Sequence, residues 1–250
     1  MLETAVRAAR EAGRLLLDAS TKDIQVDRLE RRDVKLAADR ESEEAILSVI
    51  RERFPEHAIL SEECGETGFS DSEYLWVIDP LDGTYNFSRR IPLWCTSIGL
   101  VKNGEEMMGV ILDPCRDDLF TVEKGKGAFL NGEVMRVSTT SDPTRAMIGI
   151  AYGPDERFFD RSMAAIDRVS AGVAKVRALG SAALHLAYVA CGWMDGFFEF
   201  GLHHWDMAAG LVMIREAGGR TTARRHADGK VDLAVSNAIL HDDLLKLIRW

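Results

Sequence analysis

Trp76-Val77-Ile78-Asp79-Pro80-Leu81-Asp82-Gly83-Thr84-Tyr85-Asn86-Phe87 runs from an apolar strand into two carboxylates and a Gly-Thr pair. Tyr74 to Ile78 read as a buried strand, and Pro80, which has no N–H to donate, is predicted to end its ladder. Asp79 then sits at a strand end. Gly83 and Thr84 can open a short helix whose free backbone N–H groups point toward an anion. Asp82-Gly83 alone would be an ordinary turn. Asp, Pro, Asp, Gly and Thr packed into one short segment after an apolar strand are instead the residue types that hold a divalent cation beside a phosphate.

Two other segments carry acids in comparable places. His57 to Ser61 read as a short strand leaving a helix that ends near Phe54-Pro55, and it runs into Glu62-Glu63-Cys64-Gly65-Glu66. Taken alone, that is a solvated loop. Gly201-Leu202-His203-His204-Trp205-Asp206-Met207-Ala208-Ala209-Gly210 leads into an apolar helical pattern that stops at Gly218-Gly219. By itself Asp206 reads as the N-cap of that helix. The small residues behind it allow another element to approach closely.

Outward from these segments, 250 residues with 46% hydrophobic content can bury a sizeable core. Before about Ser141 the pattern is helices and then strands joined by tight turns at Asn103-Gly104 and Asn131-Gly132, a largely antiparallel arrangement. After it, a helix near Asp155 to Ser170, a strand at Lys175 to Ala178, a helix from Ser181 to Cys191, a strand at Gly196 to Phe200 and the Met207 helix alternate. The expected division is residues 1–140 as an α+β half with most of the acids, and 141–250 as an α/β half. Met1 to Ser20 mix apolar and charged positions at helical spacing, without the apolar stretch of a secretory signal, and no run reaches the length of a membrane span. A cytoplasmic protein with no membrane partner is expected. Cys64, Cys95, Cys115 and Cys191 lack the spacing of a zinc site or disulfide scaffold and read as core thiols, with Cys64 oxidation-sensitive if exposed. The stretch 23–35, with Arg28, Arg31 and Arg32 among acids, reads as a solvated mobile loop.

Glu62-Glu63 after a strand, Asp79-Pro80-Leu81-Asp82-Gly83-Thr84 and Trp205-Asp206-Met207-Ala208-Ala209-Gly210 together resemble the signature set of the inositol monophosphatase family of magnesium-dependent, lithium-sensitive sugar phosphatases. The resemblance continues through Asp113-Pro114, the Gly125 to Gly132 segment and Gly180-Ser181-Ala182-Ala183, covering nearly the whole chain. It implies a mixed α/β fold, the layered αβαβα sandwich shared with fructose-1,6-bisphosphatases, with the active site between the halves.

The resemblance also implies roles. Glu62, Asp79 and the Leu81 carbonyl would bind a first Mg²⁺, and Asp79, Asp82 and Asp206 a second, with Asp79 bridging. Two or three Mg²⁺ per site are implied, and Mn²⁺ can substitute, because hard oxygen donors suit these ions better than zinc. The net charge of −9 argues against a nucleic-acid partner and, without metal, against a phosphate substrate as well. Thr84 and Asp39 would orient the water that attacks in line, with Glu62 beside them among the catalytic groups. Asp39 also reads as a cap for a helix beginning near Glu41, and the chain has Leu36 where the family commonly has threonine. His203 and His204 are given structural or surface roles. Asp82, Gly83, Thr84, Gly180, Ser181, Ala182, Glu199 and Asp206 would contact the substrate. Glu199 either accepts hydrogen bonds from ring hydroxyls or is an ordinary strand-end acid.

The implied activity is Mg²⁺-dependent hydrolysis of a small phosphorylated polyol or sugar, inositol 1-phosphate first. Fructose 1,6-bisphosphate is the alternative, with Arg177 as the cation for its second phosphate. A metal-binding regulatory relative without turnover is the non-enzyme alternative. Lithium sensitivity and a homodimer complete the expectation.

Overall fold

A computed structural model describes the chain from Met1 to Trp250 apart from residues 30–33, 69–70 and 154. Helix α1 (Leu2–Ser20) precedes a ribbon of β1 (Val26–Leu29) and β2 (Val34–Leu36), then α2 (Ala37–Arg53), β3 (Ala58–Ser61), β4 (Gly65–Thr67), β5 (Tyr74–Asp82) and α3 (Thr84–Ser88). Strands β6 (Cys95–Lys102), β7 (Glu105–Asp113), β8 (Asp118–Glu123), β9 (Gly127–Leu130) and β10 (Glu133–Val134) follow. The chain continues with β11 (Met147–Ile150), α4 (Glu156–Gly172), β12 (Lys175–Arg177), α5 (Ala182–Ala190), β13 (Gly196–Leu202), α6 (Ala208–Glu216), β14 (Gly219–Arg225), β15 (Val231–Asn237) and α7 (His241–Ile248).

Eight strands form one sheet in the order β10-β9-β8-β7-β6-β5-β3-β4, and five form another in the order β12-β11-β13-β15-β14. The first is antiparallel except where β3 runs beside β5. The second is mixed: β11 is parallel to β12 and β13, whereas β15 is antiparallel to β13 and β14. Helices α1 and α2 cover the outer face of the large sheet, α5 and α6 lie between the sheets, and α4 and α7 cover the far face of the small one. The layers therefore run α, β, α, β, α.

Periodicity explains the outer layer. Ala5, Ala8, Ala9, Ala12 and Leu16 recur at helical spacing on α1 and are all buried, most of them against Trp76, Ile98 and Val110 of the large sheet. Both Asn-Gly hairpins are present, with Asn103, Gly104, Asn131 and Gly132 at positive φ, as such two-residue turns require.

Several expectations need correction. Strand β5 does not stop at Ile78 but runs through Pro80 to Asp82, because its pairing with β6 shifts between Asp79 and Asp82. A bulge relieves the ladder of the N–H that proline lacks. Helix α2 begins at Ala37 rather than near Glu41, which puts Asp39 inside its first turn. The 23–35 stretch is not a loop throughout, since Val26–Leu29 and Val34–Leu36 pair as a ribbon; Arg31 and Arg32 lie outside the described residues. Only Cys95 is a fully buried thiol, while Cys64 and Cys115 are exposed. Strands β11, β14 and β15 and helix α7 had no sequence-based expectation. Among the described residues, no helix is long and apolar enough to cross a membrane.

Candidate active site

The bulge in β5 is the centre of the site. Beyond it the Pro80 carbonyl accepts hydrogen bonds from Ser42 Oγ on α2 and Thr96 Oγ1 on β6, both at 3.0 Å. The kinked backbone is thereby fixed from both sides. Asp79 is buried, and its Oδ1 accepts from the Leu81 N–H at 3.1 Å. Gly83 follows at φ 93°, where an added Cβ would lie 2.8 Å from the Leu93 carbonyl, so only glycine makes this corner. Thr84 begins α3 and donates from Oγ1 to the Leu81 carbonyl at 2.9 Å.

Parallel pairing of β3 with β5 sets Ser61 opposite Ile78, and the Glu62 N–H extends the ladder to the Ile78 carbonyl at 3.2 Å. Glu62 is thereby delivered beside Asp79. The Cys64 N–H donates to Glu43 of α2, which ties down the turn that carries Glu62 and Glu63. Burial and the neighbouring Glu43 carboxylate push the Cys64 thiol pKa up, which opposes the oxidation sensitivity considered from sequence.

Asp82 faces the second half. Its carboxylate accepts from Ser181 Oγ, from the Ala183 N–H at 2.7 Å and from the Ala182 N–H at 3.3 Å, so it caps helix α5 from a distant part of the chain. Gly180 turns at φ 75° against Asn86, whose side-chain amide donates to the Leu93 and Leu179 carbonyls. Asn86 thus joins α3 to the 179–182 segment, a role the sequence did not suggest.

Asp206 is not the N-cap of α6. Met207 occupies that position, and Asp206 Oδ2 instead accepts from the His203 N–H at 2.7 Å, closing the preceding turn. His203 stacks on Trp205, and His204 approaches Glu106, which also binds Arg215 of α6. His204 Nε2 makes no hydrogen bond among the described residues. Glu199 is not at a strand end but within β13, buried, just before a shift in its pairing with β15.

These acids act on one another. Asp79 is driven well above the ordinary carboxylate pKa first by burial and then by Glu62, Asp82, Asp206 and Asp39. Burial, Asp82 and Glu62 raise Asp206, and burial, Asp206 and Asp82 raise Glu199. Asp39 is pushed up to about 8, chiefly by burial and further by Glu62 and Glu63; the Leu36 N–H on its Oδ2 and the Lys35 charge act in the opposite direction. Among the described residues no group of three or more histidine, cysteine, aspartate or glutamate side chains is already gathered closely enough to hold a metal ion. Each acid instead turns to its own local donor while remaining in electrostatic reach of the others.

The fit to a hard divalent cation rests on chemistry and on one atom. Every candidate donor is oxygen, as Mg²⁺ and Mn²⁺ prefer. Asp39 Oδ1 is buried without a hydrogen-bond partner among the described residues, an acceptor left open beside these acids. Glu62, Asp79, Leu81, Asp82 and Asp206 are the residues that could hold the cation.

One sequence-derived candidate and one unforeseen residue remain. Arg177 is exposed on β12, the outermost strand of the small sheet, and donates to its neighbour Val176. Among the described residues its guanidinium makes no ion pair with the acids. Lys35, by contrast, places its ammonium 2.7 Å from Glu62 Oε1 and also on Glu63 Oε1. Nothing in the local sequence marks it.

Comparison with known proteins gives a consistent result. The family model described as "Inositol monophosphatase family" matches residues 1–248. The chain is 41% identical to "Nus factor SuhB" of Xylella fastidiosa over 89% of its own length and 82% of that protein. It is 38% identical to "Inositol-1-monophosphatase" of Mesorhizobium japonicum over 100% of its own length and 96% of that protein. The crystal structure of extragenic suppressor protein SuhB from Bartonella henselae is similar at TM-score 0.92 and 36% identity, covering 99% of this chain and 97% of that one.

Proposed function

The chain belongs to the inositol monophosphatase family, and on that premise we propose that it is a Mg²⁺-dependent phosphomonoesterase whose preferred substrate is inositol 1-phosphate. The observation that carries the reading is the convergence of Glu62, Asp79, Asp82 and Asp206, from three separate segments of the chain, on one largely buried electrostatic cluster. Glu62, Asp79 and the Leu81 carbonyl would hold one cation and Asp79, Asp82 and Asp206 another. When bound, such ions supply attraction for the phosphate dianion, acidification of a water and stabilisation of the leaving oxygen. Thr84 Oγ1, with its proton committed to the Leu81 carbonyl, is left as an acceptor for the attacking water, and Asp39 Oδ1 is the second acceptor. Ser181 and Ala182 hold Asp82 in place through its carboxylate, and Glu199 is assigned to accept from substrate hydroxyls. Residues 1–140 and 141–250 are taken as the two halves that meet there.

Fructose 1,6-bisphosphatase activity stands second, because Arg177 is exposed and, among the described residues, makes no ion pair with the acids. Relatives at about 40% identity carry the name "Nus factor SuhB", and the non-enzyme alternative is a metal-binding regulatory relative without turnover. Phosphate release from both substrates, measured with Mg²⁺ and again after chelation, separates these readings. Turnover of inositol 1-phosphate that disappears with chelator is expected; unchanged turnover in chelator removes the metal reading, and no turnover of any phosphate ester removes the enzyme reading. Lithium sensitivity, a homodimer and a cytoplasmic location are further expectations of the same proposal.

A further inference from the structure

We propose that Lys35 is an internal competitor for the first metal position, its ammonium holding Glu62 and Glu63 until a divalent cation displaces it. The inference rests on the metal-site reading above and extends it to a residue outside the ligand set. The four candidate carboxylates are held in different ways. Asp79 and Asp206 each accept a backbone N–H, and Asp82 accepts two N–H groups and a hydroxyl. Those donors carry no net charge and leave lone pairs free, because a carboxylate offers about four acceptor sites. A cation can join them without breaking a bond.

Glu62 is different, because its partner is a full positive charge. The Lys35 side chain is 27% exposed, Glu62 25% and Glu63 14%, so the three-membered cluster is largely withdrawn from water. A divalent ion approaching Glu62 there meets a like charge in a medium that screens poorly. The ammonium must therefore leave first. It also serves a purpose while it stays, since without it two adjacent carboxylates would face each other half-buried.

The backbone permits that exchange. Val34 and Leu36 flank Lys35 and are buried with Leu16, Leu81, Phe87 and Trp94, which pins the strand on both sides. The displacement is therefore a rotation of the four-carbon stem rather than a movement of the strand. The ribbon formed by β1 and β2 is part of neither large sheet, so no ladder of those sheets is disturbed.

Metal-free full-length protein is titrated calorimetrically with Mn²⁺ as wild type, Lys35→Gln and Lys35→Arg. The expected result is that Lys35→Gln binds Mn²⁺ about ten- to a hundredfold more tightly at one position, the range for loss of charge-assisted hydrogen bonds that the ion otherwise has to break. Lys35→Arg, which keeps the charge, should not bind Mn²⁺ more tightly than wild type. A mutation-free measurement guards against a folding defect: lysine amidination followed by mass spectrometry should show Lys35 of the wild type protected without Mn²⁺ and reactive at saturation. Equal or weaker Mn²⁺ binding by Lys35→Gln, or a Lys35 no more reactive with Mn²⁺ than without, overturns the proposal and leaves the metal site standing. Failure of all three proteins to take up Mn²⁺ at millimolar concentration overturns the metal-site reading and this inference together.

Discussion

Replacing Gly109 by alanine should destabilise the protein by about 1–2 kcal/mol and lower its activity more than its stability. Gly109 on β7 pairs directly with Gly99 on β6, and the two form a notch in the large sheet. A Cβ at 109 would lie 2.7 Å from Ala209 Cα, 2.8 Å from its carbonyl oxygen and 2.9 Å from its Cβ; one at 99 would lie 2.9 Å from Ala208 Cβ. Optimal carbon contacts are about 3.5–4.0 Å. The obstacle is helix backbone, which cannot rotate away, so α6 must move by roughly 1 Å. Overpacking of this kind costs about 1–3 kcal/mol. Gly109 is not at positive φ, so the alanine also removes unfolded-state entropy and recovers about 0.4–1 kcal/mol. The net loss should lower Tm by about 2–8 °C for a chain of this size. Asp206 lies immediately before α6, and a shift of about 1 Å at a reacting group can cost on the order of a hundredfold in rate. Gly172→Ala is the control, because the atoms its Cβ meets belong to the end of the Leu247 side chain, which can yield. Urea unfolding in chelator and kcat/KM for inositol 1-phosphate are the assays. A Gly109→Ala protein as stable and as active as wild type would refute the notch as the device that seats α6.

Asp79→Asn should reduce phosphate release at least a thousandfold or so while leaving the chelated protein no less stable, because it removes one buried charge from a repelling set; near-normal rates would take Asp79 out of the site. His241 is buried between Ser236 Oγ and Thr222 Oγ1, and burial lowers its pKa to about 4. It is neutral in the native state, whereas in the unfolded chain it protonates near the ordinary value of about 6.5, so its contribution is complete above pH 6.5 or so and is lost as pH falls toward about 4. Urea midpoints should show His241→Gln losing less stability than wild type across that window, by on the order of 2–3 kcal/mol; parallel curves would be the contrary result. Glu199→Gln should cost about ten- to a hundredfold in kcat/KM for inositol 1-phosphate while Arg177→Ala is neutral for both candidate substrates, and an unchanged Glu199→Gln rate would return that residue to a packing role.

What was legible in the sequence was whatever local chemistry decides. Periodicity located α1, and the two Asn-Gly pairs located their hairpins because only a few residues tolerate two successive positive φ values. The Ala208-Ala209-Gly210 run announced a close approach, and the structure supplies its counterpart in Gly99 and Gly109. Pro80 misled because the missing N–H ordinarily ends pairing, and a bulge that depends on Ser42 and Thr96 cannot be inferred from Pro80 itself. Strand β15 carries Asp232 and Ser236 in a fully buried run, so its pattern is not apolar, and β14 has the exposed arginines of an edge strand. Lys35 was invisible for another reason: its partners are separated from it in sequence by a helix and a strand, and nothing about an isolated lysine tells which acids it will meet.

The acids of the site also differ in what else they support, and this decides how their substitutions can be interpreted. Asp82 caps α5, so changing it alters a helix that lies between the two sheets as well as the site. Asp206 closes the turn that leads into α6, and Asp39 holds the first turn of α2 through the Leu36 N–H. Each of these carboxylates joins folding to chemistry. Asp79 does so least, because the backbone hydrogen bond it accepts is from the Leu81 N–H within the same bulge, while burial and four neighbouring carboxylates disfavour its charge. A cation that relieves this pressure would also stabilise the fold by preferential binding to the native state, in proportion to its concentration over its Kd. The same acids that disfavour one another's charge when bare are thus the reason a cation, once bound, should raise the stability of the fold.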